Sequence, residues 1–126
     1  MVEIFLERAK QLSGARDLVQ EDEEFASATA LLSVHSAIAL NDALLLKLKG
    51  KLVKGQDHMA SVRETAKRCK ARKLDSTGII QITALIAAKT RVSYEDKSVS
   101  FALAYKLAIA SQRFEVWAYK RLEEIA

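Results

Sequence analysis

The segment Ser33 to Leu46, SVHSAIALNDALLL, places a His, an Asn and an Asp inside an otherwise apolar run. His35 and Asp42 are the residues there that could do chemistry. On a helix, seven positions turn about 700°, so the two differ by only about 20° around the axis and lie about 10 Å apart along it. That is too far for a direct pair but suits a shared pocket. In one reading His35 is a general base or small-molecule ligand and Asp42 sets the local polarity. In the other, both are helix-docking groups, Asp42 meeting a Lys or Arg of the last helix or Tyr105, and His35 a carbonyl or hydroxyl. Burial without partners would cost roughly 1–3 kcal/mol per group, so partners are expected in either case. His58 is the other imidazole and the third polar-pocket candidate.

Charge is the second chemical signal. From Lys47 to Lys73, ten bases against two acids give +8, whereas the whole chain carries +4. Arg63, Lys67 and Lys70 share one helical face, Arg68 and Arg72 form another ridge, and Lys73 follows. Such a patch suits the phosphates of RNA, DNA or nucleotides. It is also the composition of a solvated face, or of a surface that meets the acidic run Glu21–Glu24 of this or another chain. No aromatic interleaves the run, so base stacking is not indicated. KGKLVKG lacks the spacing of a phosphate-binding loop.

Other chemistry is sparse. Cys69 cannot form an internal disulfide; its basic neighbours could lower its pKa, but no catalytic His motif accompanies it, and an incidental thiol in a reducing compartment is the expectation. Two His and one Cys without ligand spacing argue against a metal site, and no cofactor is expected. The N-terminus has Glu3 and Glu7 where a signal peptide needs bases. The apolar span from Ala26 to Leu46 is interrupted by His35, Asn41 and Asp42, which is costly in a bilayer. A cytoplasmic protein with no membrane helix is expected.

These residues need elements to hold them. The 126-residue chain has no proline, four glycines and half its residues hydrophobic, a composition that favours helices over a turn-rich β fold. Periodicity predicts helices over about residues 2–20, 23–49, 58–72, 78–90 and 96–125. Gly50 stops the second, Asp57 caps the third, and Asp75 or Ser76 caps the fourth. The second helix is apolar on most sides, as in the middle of a bundle. Phe5, Leu6, Ala9, Leu12 and Val19 form the stripe of the first helix. Leu103, Leu107, Phe114, Trp117 and Ile125 form that of the last, with Phe101 and Tyr105 as a separate patch. The expectation is a single all-α domain over residues 1–126, an up-and-down bundle of four to five helices.

The order of these features resembles the HEPN family (higher eukaryotes and prokaryotes nucleotide-binding). HSAIALNDALL, a Gly-bounded basic loop and DHMASV look like its first half. LIAAKTRVSYEDKSVSFALAYKLAIASQRFEVWAYKRL is similar to its second, with Arg91, Tyr94, Ala110, Phe114 and Leu122 in the matching places. The resemblance spans about residues 25–122. Many members are ribonucleases with an Arg, four to six residues, then a His. Here the window before His35 holds Ala28, Thr29 and Ala30, and that before His58 holds Lys51, Leu52 and Val53; Lys lacks the planar fork of Arg. The sequence looks closer to members without that motif, which serve as binding or pairing modules beside a nucleotidyltransferase. The resemblance therefore implies a non-catalytic module for a nucleotide, nucleic acid or nucleotidyltransferase-type partner. The alternatives are a divergent ribonuclease using His58 or His35, or a purely structural subunit. HEPN-like proteins commonly pair, so a homodimer is expected, with Tyr105 and Tyr119 offering an edge to the second subunit.

Overall fold

The apolar periodicities become five α-helices in the computed structural model: α1 Val2–Val19, α2 Ala26–Lys49, α3 His58–Ala71, α4 Ile79–Tyr94 and α5 Phe101–Glu124, with a short 3₁₀ turn at Glu23–Phe25. The structure describes all residues except 54–56, 95–97 and 126, and not the side chain of Tyr94; no strand occurs among the described residues. α2 touches each of the other four helices. Val34, Ala37, Leu40, Leu44 and Leu45 along it have no exposed surface. Residues 23–49 are long and apolar enough to cross a bilayer by composition, but 78% of their most apolar window is covered by the rest of the bundle.

Local chemistry sets the helix ends. Gly50 ends α2 at φ 86°, its N–H reaching the Leu46 carbonyl at 2.7 Å, a left-handed conformation open to glycine at little cost. Asp57 caps α3 as expected, accepting the Ala60 N–H at 2.9 Å. The fourth helix differs. Asp75 accepts from Thr77 N–H at 2.8 Å in a local turn, and α4 begins only after Gly78, whose carbonyl receives the Gln81 and Ile82 N–H groups. α4 also runs on to Tyr94, past the expected end near residue 90. α5 starts at Phe101, where Ser100 Oγ accepts the Leu103 N–H at 3.1 Å; the expected start near Asp96 lies outside the described residues.

The direction of the helices departs from a simple up-and-down order. Ser36 meets Ser111 at 3.1 Å and Lys47 Nζ donates to the Leu122 carbonyl at 3.1 Å, so α2 and α5 run the same way. Arg72 donates to the Leu48 carbonyl at 3.0 Å, while His58 lies beside His35, so α3 runs that way too. α1 and α4 run opposite.

A buried polar knot ties α1 to α5 and α2. Arg16, 1% exposed, donates to Asp17 Oδ1 at 2.8 Å, Glu115 Oε2 at 2.9 Å and Ser111 Oγ at 2.8 Å. Ser111 in turn contacts Ser36. In the core, Phe114 and Trp117 pack with ring centroids 5.6 Å apart.

Candidate functional site

His35, Asp42 and His58 line one cavity. They face a space of about 510 Å³ enclosed by α1, α2, the stretch after α2, the start of α3, and α4. α2 supplies His35, Ile38 and Asp42, the helical repeat placing them on one side. The Asp57 cap orients the first turn of α3, which presents His58 and Ser61. Two cations that the sequence reading did not single out complete the ring: Arg8 from α1 and Lys89 from α4. Phe5, Leu12, Leu52 and Val53 supply an apolar wall. Arg8 is steadied by Phe5, its guanidinium carbon 5.1 Å from the ring centroid, a cation–π distance.

As a helix-docking group Asp42 would meet the last helix or Tyr105. It faces α1 instead, with Arg8 as its charged neighbour, because α1 and not α5 covers that side of α2. Asn41, one position earlier, turns into the core at 2% exposure, and its Oδ1 finds no hydrogen-bond partner among the described residues.

Burial dominates the electrostatics. It pushes the Asp42 carboxyl up to about 6, against the opposing pull of Arg8. Burial first, then the charge of Lys89, then His58 hold the His35 pKa below its ordinary value. Burial and Lys89 lower that of His58 as well, against the raising effect of Asp57. Both imidazoles are therefore biased toward the neutral form, able to accept a proton or a hydrogen bond. The cavity combines two fixed cations, two neutral imidazoles and a half-buried carboxyl with an apolar wall. That set suits an anion carrying an apolar or aromatic body.

The six basic candidates on α3 and just beyond it separate into two groups. Arg68 pairs with Glu64 at 3.0 Å, a carboxylate that Lys49 also approaches at 3.3 Å. Arg72 caps the end of α2 through the Leu48 carbonyl. Arg63, Lys67, Lys70 and Lys73 are exposed and make no ion pair among the described residues. None of the six lines the cavity. Glu21–Glu24 make no ion pair with the patch among the described residues either. Cys69 is wholly buried in the core, and burial pushes its thiol pKa up, the reverse of what its basic neighbours suggested. Among the described residues no group of three or more His, Cys, Asp or Glu is placed to hold a metal ion.

Compared with the models of known protein families, with curated proteins and with solved structures, the chain matches none.

Arg8 and Lys89 carried no sequence signal that set them apart from other surface bases. A helical-wheel pairing of Arg8 with the Phe5–Leu12 side of α1 could have suggested the first. Lys89 needs the direction of α4 to be known.

Proposed function

We propose that this chain is a HEPN-like, non-catalytic binding module that takes a nucleotide-type phosphate ester in the cavity between α1, α2, α3 and α4. One observation carries this reading: Arg8 and Lys89 reach the same space from different helices, beside His35, His58 and Asp42, with an apolar wall formed by Phe5, Leu12, Leu52 and Val53. Phosphate oxygens would lie against the two cations and accept the ring N–H of His35 or His58, which a neutral imidazole retains. A nucleobase or similar body would take the apolar side. The volume of about 510 Å³ falls within the roughly 300–1,000 Å³ of small-molecule sites. The exposed bases Arg63, Lys67, Lys70 and Lys73 form a separate surface for nucleic acid or an acidic, nucleotidyltransferase-type partner. The buried thiol of Cys69 fits a reducing, cytoplasmic setting.

Isothermal titration with ADP and with pyrophosphate tests the cavity. Binding that falls at least about tenfold in Arg8→Ala and Lys89→Ala, but not in Lys67→Ala/Lys70→Ala, supports it. Equal losses in all three place the anion on the surface instead. Titrating RNA at several salt concentrations tests the α3 face; a flat response at low salt removes the nucleic-acid branch.

The convergence of both imidazoles favours a second reading, a divergent ribonuclease in which His35 or His58 acts as base and Arg8 or Lys89 replaces the missing Arg. RNA cleavage that disappears in His35→Ala or His58→Ala would establish it, and its absence would leave the binding role.

A further inference from the structure

Between α4 and α5 lies a second trough, of about 530 Å³, whose apolar lining includes Ala84, Ala88, Leu103 and Ile109 and whose charged residues are Lys106 and Arg113, with no carboxylate among the described residues that line it. The apolar surface continues beyond it. Ile80, one turn before Ala84, is 73% exposed, and Val116, two turns after Ile109, is 74% exposed. On the same protomer, Glu21, Asp22, Glu23 and Glu24 are all exposed and lead into Phe25, itself 44% exposed. This segment is held in shape: Asp22 Oδ1 accepts the Glu24 N–H at 2.9 Å, and the Asp22 carbonyl accepts the Phe25 N–H at 3.0 Å.

The two surfaces are complementary and unsatisfied. Neither Lys106 nor Arg113, nor any of the four carboxylates, makes an ion pair among the described residues. They are also neighbours. Gln112 donates to Gln20 Oε1 at 3.0 Å, so the acidic segment leaves the bundle beside α5, the helix that lines one side of the trough. A patch that holds both a site and its complement is what a two-fold, self-complementary interface requires.

We propose that two copies of this chain associate about a two-fold axis, each seating Phe25 in the α4–α5 trough of the other, with the carboxylates of Glu21–Glu24 against Lys106 and Arg113. The second copy occupies the trough because it brings an aromatic anchor flanked by acids to an apolar channel rimmed by bases. This interface is independent of the anion cavity.

Sedimentation equilibrium on the full chain tests it. Wild type is expected to dimerise, and Phe25→Ala to weaken the dimer at least about tenfold. Lys106→Glu/Arg113→Glu alone and Glu23→Lys/Glu24→Lys alone are expected to be monomeric, because each sets like charges opposite one another. Mixed in equal amounts they are expected to form a heterodimer, since both half-sites are then complementary again. Far-UV circular dichroism checks that each variant is folded, and Phe25→Ala stands as an independent readout if a charge variant is not. A wild type that stays monomeric at high micromolar concentration overturns the proposal. So does a dimer indifferent to these substitutions, or charge-reversed variants that fail to pair when mixed.

Discussion

Gly78 lies directly beneath the indole of Trp117: a Cβ at position 78 would come within 2.3 Å of Trp117 Cγ and Cδ2. The ring cannot easily yield. Its Nε1 donates to the Asp75 carbonyl at 3.1 Å, it packs on Phe114, and Arg121 binds the Asp75 carboxylate at 3.1 Å. The α3–α4 turn is thereby fixed on α5. Gly78→Ala is expected to destabilise the fold by about 3 kcal/mol, a fall in Tm of roughly 10 °C. A thermal melt within 2 °C or so of wild type would mean that the turn is free to move off the indole.

Arg16 and Glu115 form an ion pair across α1 and α5 with the guanidinium almost wholly buried. Removing one partner leaves the other stranded, so Arg16→Ala is expected to cost about 3–5 kcal/mol in urea unfolding. Arg16→Met combined with Glu115→Leu should recover much of that, because it removes the uncompensated charge and refills the volume. A double variant no more stable than Arg16→Ala would show that the knot is needed for the helix arrangement itself and not only for its own satisfaction.

These two sites also mark where the sequence is legible and where it is not. The core stripe of α5 follows from its 3.6-residue period, Leu107, Phe114 and Trp117 being buried, whereas of the α1 stripe only Ala9 is buried and Phe5 and Leu12 face the cavity instead. Asp57 and Gly50 were readable because a cap is a local contact. His35 and Asp42 shared a cavity, as their seven-residue spacing suggested. Arg16 was invisible: its partners Ser111 and Glu115 lie 95 and 99 residues away, and one buried Arg looks like any solvated one. The parallel course of α2 and α3 does not follow from helix periodicity, which carries no direction. Arg8 and Lys89 reach the cavity only through that topology.

Lys73 has φ 58°, a left-handed conformation unusual for a residue with a Cβ. It occupies the position after the end of α3 where the Lys73 N–H meets the Lys70 carbonyl at 3.1 Å and the Leu74 N–H meets that of Cys69 at 2.9 Å, a Schellman motif that favours glycine. Lys73→Gly is expected to stabilise the protein by about 1 kcal/mol, through relieved strain. If Lys73 also contacts phosphate, the same variant should bind RNA more weakly and lose about one unit of salt slope. Chemical denaturation and a salt series on one preparation separate the two effects.

Asp42 ties the cavity to the stability of the fold. Its carboxyl is raised from 3.8 to about 6 by burial, so the folded state resists its ionisation and the unfolded state does not. The sign follows: stability from this group is fully present below about pH 4 and declines as pH rises to about 6, after which the deficit is constant. Asp42→Asn removes the ionisation and is therefore expected to raise stability at pH 7.5 by about 1 kcal/mol. This is less than the full shift would give, because the group is partly open to water. At pH 3.5 the variant and wild type should agree. His35 and His58 act in the opposite sense, their lowered values costing stability as pH falls below the ordinary 6.5, but both proteins share that loss, so the difference between them isolates Asp42. Urea midpoints at the two pH values decide the matter. A variant less stable than wild type at pH 7.5 would mean that the Asp42 carboxylate gains more from Arg8 than it loses by leaving water.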